Sequence, residues 1–368
     1  MMRNCVLGGV FVAAWVASDV VASTESVIEI PFVTIGDPGN VALTEETAPW
    51  PDYRPRHGWG YGSVDYEFQI MQRPITIREW QAFLDVLAPH WPYWLTSPLN
   101  PAFSEAGDWE VRGIGEWPAL VPLDAAAAFA NWFHNGRVNE PWAFFTGVYD
   151  FDEMVRSDSG SIRDLPPIRP EDARYWLPSL DEAFKAGFYE ERSPQNPDGR
   201  WYRFVNSSNS PLVPGPPGEG EMPDVFDDVV FVMNDVDQYP GTQTPWGLTD
   251  WALAGCAWTD TPGHTGRVYR FGSDFTELVY YPEIIADHHM RSCGGTEVST
   301  IPSGVRIART LEAAIDLAIP LGVVDLADAT AFIDAFLWSG AEADLVAPFG
   351  VLDLSDLDAF IKIYLASV

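Results

Sequence analysis

Alternating apolar residues near the start of the chain predict two short strands. Isoleucine, valine and phenylalanine dominate residues 27–34, and the turn-forming sequence Gly-Asp-Pro-Gly-Asn follows at 36–40. Tyr66, Phe68 and Ile70 alternate with polar residues, as in a half-buried strand. Both segments are therefore expected to enter a sheet.

Three segments with helical spacing of apolar residues follow in the first half of the chain. A Thr-x-x-Glu pattern beginning at Thr76 predicts a capped helix over 77–87, and a Ser-x-x-Glu pattern at Ser179 predicts another helix start. Between them, an amphipathic helix is predicted over 124–134. At its end, His134 is expected to be an imidazolium that interacts favourably with the helix dipole.

The pattern changes after residue 309, because residues 311–368 contain an internal repeat. Six residues of the first copy recur 28 positions later, as subtraction of their numbers shows: Asp316, Pro320, Gly322, Asp325, Asp328 and Phe332 recur as Asp344, Pro348, Gly350, Asp353, Asp356 and Phe360. Each copy has the pattern of a loop followed by a helix. Leu354, Leu357, Ile361 and Leu365 are predicted to form the apolar stripe through which the second helix packs on the first.

Length and composition indicate a folded chain with more than one unit. A chain of 368 residues can form one large domain plus smaller appendages. Hydrophobic residues make up 47% and aromatic residues 14%, which is typical of a folded protein and not of a disordered one. We expect a signal peptide at 1–22, a main domain at 27–309 and a C-terminal module at 311–368.

Charge excludes some classes of partner. Lysine and arginine together number 21 against 53 aspartate and glutamate residues, which gives a net charge of −32. Such a chain repels phosphate backbones and anionic lipids, so neither nucleic-acid binding nor a basic membrane-docking face is expected.

The start of the chain predicts export. Arg3 precedes an apolar run at 6–17, and small residues stand before Ser23, as in a cleaved secretory signal. We therefore expect a secreted, periplasmic or cell-surface protein with no membrane insertion after cleavage.

Two cysteines remain once the signal peptide and its Cys5 are removed. Cys256 and Cys293 can pair in an oxidising compartment, which would stabilise the fold by roughly 3 to 4 kcal/mol. They can also remain as two buried thiols, or one or both can bind a metal or react. The residues alone leave these alternatives open.

An ordered set of segments carries a family resemblance. In chain order the segments are FVTIGDPGN, VDYEFQIMQRPITIREWQAFLDVL, DAAAAFANWFHNGR, RYWLPSLDEAFKAGFY, TPWGLTDWALAGCAWTD, GRVYRFGSD and SGVRIAR. Together they resemble the formylglycine-generating enzyme, or sulfatase-modifying factor, family over residues 27–309. The resemblance implies an α+β fold of the irregular, C-type-lectin-like kind, with an aromatic core.

The same resemblance implies a chemistry whose residues are largely missing. Enzymes of this family oxidise a sulfatase cysteine to formylglycine with oxygen and a copper(I) ion held by two cysteines, since soft thiolates suit copper(I). Here Cys293 lies in the right neighbourhood, but Cys256 stands where the family has a tryptophan. Ala254 and Ala257 replace two calcium ligands of the family. We therefore expect a pseudoenzyme without a resident cofactor that acts as a binding or scaffold protein; the alternative is a copper-dependent oxidase acting through Cys293 and Cys256.

The C-terminal repeat resembles the paired loop–helix units of dockerin modules, which implies a tether to an extracellular protein or glycan. Asp325, Asp328, Asp353 and Asp356 are its candidate calcium ligands. Carboxylates at these positions also suit the N-termini of the two helices, where they would accept hydrogen bonds from backbone amides. Both interpretations stay open at this point.

One aromatic cluster is a candidate ligand surface. Trp91, Tyr93 and Trp94 lie between two prolines and could stack on sugars or peptides, or pack in the core.

Overall fold

Short elements separated by turns dominate the fold, as expected of a chain with 30 glycines and 31 prolines. The computed structural model describes residues 28, 30–48, 59–91, 114–156, 162–164, 169–223, 234–251, 257–262, 268–271, 290–292, 303–318, 324–338, 340, 343–345 and 351–367. Helices and strands are mixed along the chain. The predicted signal peptide at 1–22 lies outside the described residues, and no helix within them is long and apolar enough to cross a bilayer.

The helices within the described residues are α1 (Ile77–Leu87), α2 (Leu123–His134), α3 (Pro141–Phe145), α4 (Leu180–Phe188), α5 (Glu312–Ile315), α6 (Leu326–Leu337) and α7 (Leu354–Ser367). The strands are β1 (Phe32–Ile35), β2 (Phe68–Met71), β3 (Val155–Arg156), β4 (Ile162–Asp164), β5 (Tyr175–Trp176), β6 (Tyr189–Glu190), β7 (Arg200–Trp201), β8 (Ala257–Pro262), β9 (Val268–Phe271), β10 (Met290–Ser292) and β11 (Ala308–Arg309).

An antiparallel four-stranded sheet, in the order β1-β2-β11-β5, joins distant parts of the chain. Ala308 pairs with Ile70 on one side and with Trp176 on the other, so β11 closes the sheet between two earlier strands. A second sheet has the order β10-β9-β8. The two predicted N-terminal strands are confirmed, although each begins later than expected: Tyr66 precedes β2 and lies on the surface.

The predicted capping boxes are both present. At the start of α1, the Glu79 amide donates to Oγ1 of Thr76 at 3.2 Å, and the Thr76 amide donates to Oε2 of Glu79 at 2.8 Å. Ser179 and Glu182 make the same reciprocal pair at the start of α4. These local contacts fix where each helix begins.

One expectation for the end of α2 is wrong. Burial, followed by the nearby Arg174 guanidinium, lowers the pKa of His134. Its Nδ1 accepts a hydrogen bond from the backbone amide of Arg174 at 3.1 Å. His134 is therefore a neutral acceptor that connects α2 to β5, and not an imidazolium at a helix end.

Aromatic side chains fill the main core between α1, α2 and α3. The ring centroid of Phe83 lies 4.9 Å from that of Trp80, 5.0 Å from that of Phe129 and 5.4 Å from that of Trp132. Aromatic contacts of this kind add to the free energy gained from buried area. The core extends along the chain as far as Ala313 in α5.

A second, smaller core lies in the C-terminal module, where the stacked rings of Phe332 and Phe360 have centroids 4.0 Å apart. The helices of the two repeat copies therefore contact each other, as predicted. The predicted stripe is wrong for three of its four residues, because Leu357 packs against this core but Leu354, Ile361 and Leu365 are 76%, 45% and 69% exposed.

The reason for that error is a buried carboxylate. Asp356 is fully buried in α7, and its oxygens accept hydrogen bonds from the amides of Leu345 and Asp353. This contact turns the face that carries Asp356 and Phe360 inwards. Leu354, Ile361 and Leu365 consequently face outwards, while Leu357 lies at the border of this core.

Candidate functional site

A cavity of about 840 Å³ opens beside the four-stranded sheet, where β5, the start of α4, β8 and the start of α5 meet. We call it the acidic pocket. Its described lining residues are Tyr66, Glu67, Tyr149, Arg169, Pro170, Glu171, Ala173, Trp176, Ser179, Asp260, Thr261, Thr310, Leu311 and Glu312. The volume falls in the range of small-molecule sites, roughly 300 to 1,000 Å³.

Glu182 anchors the inner wall of the pocket. It is fully buried at the third position of α4, and Oε2 accepts the Ser179 amide at 2.5 Å. The Trp176 indole donates to both carboxylate oxygens at 3.0 and 3.1 Å, and the Tyr66 hydroxyl donates to Oε1 at 2.7 Å. Burial alone would raise the pKa of Glu182, but Arg169 and these donors lower it. Glu182 is therefore a buried anion.

Arg169 neutralises two carboxylates at once. Its Nη1 and Nη2 donate to Glu182 at 3.1 and 3.0 Å, while Nε and Nη2 donate to Oδ2 of Asp260 at 3.0 and 2.8 Å. The remaining Nη1 contact is to the Tyr66 hydroxyl at 3.4 Å. The guanidinium also lies over the Trp176 ring, 4.4 Å from its centroid. The guanidinium of Arg169 is therefore fixed by carboxylates along two of its edges and by the Trp176 ring on one face.

Asp260 is the second carboxyl that Arg169 contacts. Burial raises its pKa to about 6, although the contacts with Arg169 oppose that rise. The backbone of β8 holds it in place, since the Asp260 amide donates to Pro178 O at 3.1 Å. The Tyr149 hydroxyl lies 3.5 Å from Oδ2 and accepts the Leu177 amide at 2.8 Å. Asp260 is therefore an anion at neutral pH with one oxygen fully engaged.

The reactive groups of the pocket are mostly occupied by the fold. Among the described lining residues there is neither a cysteine nor a histidine. The Ser179 hydroxyl caps α4, and Oγ1 of Thr261 accepts the Leu180 amide at 2.8 Å. The described lining therefore offers no thiol as a nucleophile and no imidazole as a general base.

The predicted cysteines lie outside the described residues. Cys256 directly precedes β8 and Cys293 directly follows β10, which are the two outer strands of one sheet. The disulfide, free thiol and copper hypotheses for this pair therefore stay predictions. Ala257, at a position where the resembled family has a calcium ligand, is a buried alanine in β8 without a side-chain oxygen.

The four aspartates of the C-terminal repeat contact backbone amides. Asp325 accepts the Ala327 amide at 2.6 Å, and Asp353 accepts the Ser355 amide at 2.6 Å. The carboxylates of Asp328 and Asp356 are buried; each accepts the amide of the aspartate three residues earlier and an amide of the preceding loop. These are helix-cap contacts, and calcium binding at the same residues stays a prediction.

The predicted aromatic platform is described only in part. Trp91 is partly buried against the main core, with its ring centroid 6.1 Å from that of Phe145. Tyr93 and Trp94 lie outside the described residues.

Sequence reasoning identified Glu182 only as a helix cap and missed Arg169 and Asp260. Arg169 and Asp260 are 91 residues apart in the chain, and neither belongs to a periodic pattern. The one available signal was the pairing of a capping glutamate with the preceding Trp176, because a glutamate buried next to an indole needs a cation.

No protein-family model and no curated protein matches the chain. Among solved structures, the fold is similar to that of CarF, with a TM-score of 0.42 and 17% identity, covering 77% of this chain and 99% of that one. It is also similar to that of PvdO from Pseudomonas aeruginosa, with a TM-score of 0.39 and 14% identity, covering 78% of this chain and 96% of that one. Likenesses of this strength identify neither a family nor a function for this chain.

Proposed function

We propose that this protein is an exported, non-catalytic binding protein. Its main domain, a sulfatase-modifying-factor-like domain of the C-type-lectin-like kind, takes a ligand in the acidic pocket, and its C-terminal module tethers it to a partner outside the cytoplasm. The observation that carries the proposal is the pocket itself: a preformed cavity whose charged wall is held in place by Arg169, Glu182 and Asp260.

Rigidity of the wall supports a binding role. Groups that are fixed before a ligand arrives lose little conformational entropy on binding. Arg169, Glu182 and Asp260 form a buried triad, and each of their side chains has at least two hydrogen-bond partners, so the wall is stable without a ligand.

A blocking substitution tests this role. Glu171 is exposed at the pocket, so Glu171→Trp should fill the opening at little cost to the fold. The matched control is Glu219→Trp, because Glu219 is exposed and lies outside the pocket lining. The probes are capped tripeptides with every central side chain, together with neutral, anionic and amino oligosaccharides, measured by calorimetry on the full chain. We expect at least one probe to bind the wild type and the control but not Glu171→Trp; if no probe distinguishes the two variants, the pocket is not a binding site.

Exposed apolar residues at equivalent repeat positions support the tether. Leu326 and Leu354, Ile333 and Ile361, and Leu337 and Leu365 are exposed pairs, each 28 positions apart by subtraction. Exposed apolar patches on a charged protein are typical of protein-binding surfaces. In the producing cell, the double substitution Ile333→Ser and Ile361→Ser should release the protein from the cell envelope into the medium. Unchanged retention would contradict the tether.

The alternative function is a copper-dependent oxidase, which requires Cys256 and Cys293 to be free thiols that bind copper(I). Mass spectrometry with and without reductant counts free thiols, and an oxygen electrode measures turnover of a cysteine peptide after copper(I) is added. We expect the wild type to consume no more oxygen than a variant with serine at Cys256 and Cys293. Copper bound by both thiols together with oxygen uptake would establish the oxidase.

A further inference from the structure

The charge of the acidic pocket restricts its ligand. A guanidinium has five N–H donors, and in Arg169 each has an acceptor: two point to Glu182, two to Asp260 and one to Tyr66. None remains to bind a carboxylate or phosphate of a ligand. The single positive charge of Arg169 is shared between two carboxylates, so the three side chains together carry a net negative charge.

The rim adds further negative charge. Glu67, Glu171 and Glu312 are exposed, and all three line the pocket. Among the described lining residues Arg169 is the only cation. An anionic ligand would therefore meet repulsion at the rim and no unused guanidinium N–H at the wall, whereas a cation would be attracted by the carboxylates at both places.

Two groups are placed to receive such a cation: one carboxylate oxygen and one aromatic ring. Oδ2 of Asp260 takes both bonds from Arg169, and Oδ1 has no hydrogen-bond partner among the described residues, although the side chain is only 11% exposed. Tyr66 is 46% exposed, with its hydroxyl bound to Glu182, so its ring is fixed at the opening. An aromatic face next to carboxylates is a common arrangement for binding ammonium and guanidinium groups.

We propose, building on the binding role above, that the acidic pocket binds the lysine or arginine side chain of a peptide. The ammonium or guanidinium group donates to Oδ1 of Asp260, the aliphatic stem lies against the Tyr66 ring, and Glu171 and Glu312 attract the charge at the rim. A cavity of about 840 Å³ has room for one such side chain with part of its backbone.

The test must separate the pocket from the general attraction of a chain with a net charge of −32. The probes are N-acetyl-Gly-Lys-Gly-amide and its arginine counterpart, with the glutamine peptide as a neutral analogue, measured by calorimetry on the full chain. The pocket variant is Glu171→Gln with Glu312→Gln. The control is Glu153→Gln with Glu219→Gln, which changes the net charge equally at exposed positions outside the pocket lining.

We expect the lysine or arginine peptide to bind the wild type and the control equally, and to bind the pocket variant about tenfold more weakly, since each exposed carboxylate contributes roughly two- to fivefold. Equal weakening in both double variants would mean that only the overall field acts, and would overturn the proposal. Selective binding of neutral peptides or of an amino sugar, blocked by Glu171→Trp, would also overturn it while leaving the binding role intact. If no probe binds, both fail.

Discussion

Replacing Arg169 by methionine is the sharpest test of how the acidic pocket is built. Methionine keeps much of the aliphatic stem and removes the charge together with all five N–H donors. It leaves Glu182, which is fully buried, and Asp260, which is 11% exposed, next to each other without their shared cation.

The expected loss of stability follows from that geometry. Removing one partner of a buried ion pair costs about 3 to 5 kcal/mol, because a charge remains buried without compensation. Two such charges remain here, so the upper part of that range applies at neutral pH. For a domain of this size the melting temperature should fall by roughly 8 to 20 °C.

The loss should depend on pH with a defined sign. Asp260 has a folded pKa of about 6 against an ordinary value of 3.8, so its protonated form favours the folded state. Its contribution to stability is therefore greatest below pH 4 and is lost as the pH rises through about 6. Without Arg169 the pKa of Asp260 rises further and the pKa of Glu182 is no longer held low, so both carboxyls favour protonation and Arg169→Met should be least damaging at pH 5 and most damaging at pH 8.

Urea unfolding of the full chain at pH 5 and pH 8, followed by tryptophan fluorescence, measures both effects. The matched control is Arg78→Met, since Arg78 and Glu116 form an exposed ion pair, with side chains 59% and 54% exposed. Pairs of that kind contribute at most about 1 kcal/mol. If Arg169→Met is no more destabilised than Arg78→Met, or is equally destabilised at both pH values, the buried triad does not support the pocket.

Three further outcomes follow from other parts of the fold. Asp356→Ala removes the acceptor for the buried amide of Leu345 and the partly buried amide of Asp353. It should lower the helical signal, and it should lower the free energy of unfolding by about 1 to 3 kcal/mol, whereas Asp358→Ala, on the exposed side of the same helix, should change neither. Because these contacts already occupy the Asp356 carboxylate, calorimetry should find the same negligible heat of calcium binding in the wild type and in Asp356→Ala; calcium binding lost in the variant would establish the ion site. Gly199→Ala places a Cβ 1.9 Å from the Tyr189 hydroxyl, whereas the Cβ of the control Gly218→Ala meets nothing within 4 Å. Because both glycines have positive φ, the backbone strain is similar in the two variants. In urea unfolding, Gly199→Ala should therefore have a free energy of unfolding lower than that of Gly218→Ala by about 1 kcal/mol or more.

Features that depend on neighbouring residues could be predicted from the sequence. The boundaries of α1 were correct because Thr76 and Glu79 satisfy each other's amides within one turn, whatever the rest of the chain does. The contact between the repeat helices was also correct, because the same residue types recur at Phe332 and Phe360.

Features that depend on a residue distant in the chain could not be predicted from the sequence. The rotation of α7 follows from the amide of Leu345, which lies 11 residues before the Asp356 that binds it, so hydrophobic spacing alone gave the wrong face. The pocket depends on Arg169 reaching Asp260 across 91 residues. No local rule predicts that a solvated-looking arginine and aspartate will meet inside the fold.

The short helix α5 connects the acidic pocket to the core of the C-terminal module within a single turn. Its first residue, Glu312, lines the acidic pocket, and its second, Ala313, belongs to the main core. The next two, Ala314 and Ile315, belong to the core of the C-terminal module, and Asp316 then pairs with Arg174. One helical turn spans about 5.4 Å. Displacing the C-terminal module would consequently move Glu312 at the mouth of the acidic pocket and, through Asp316 and Arg174, the residue that precedes β5.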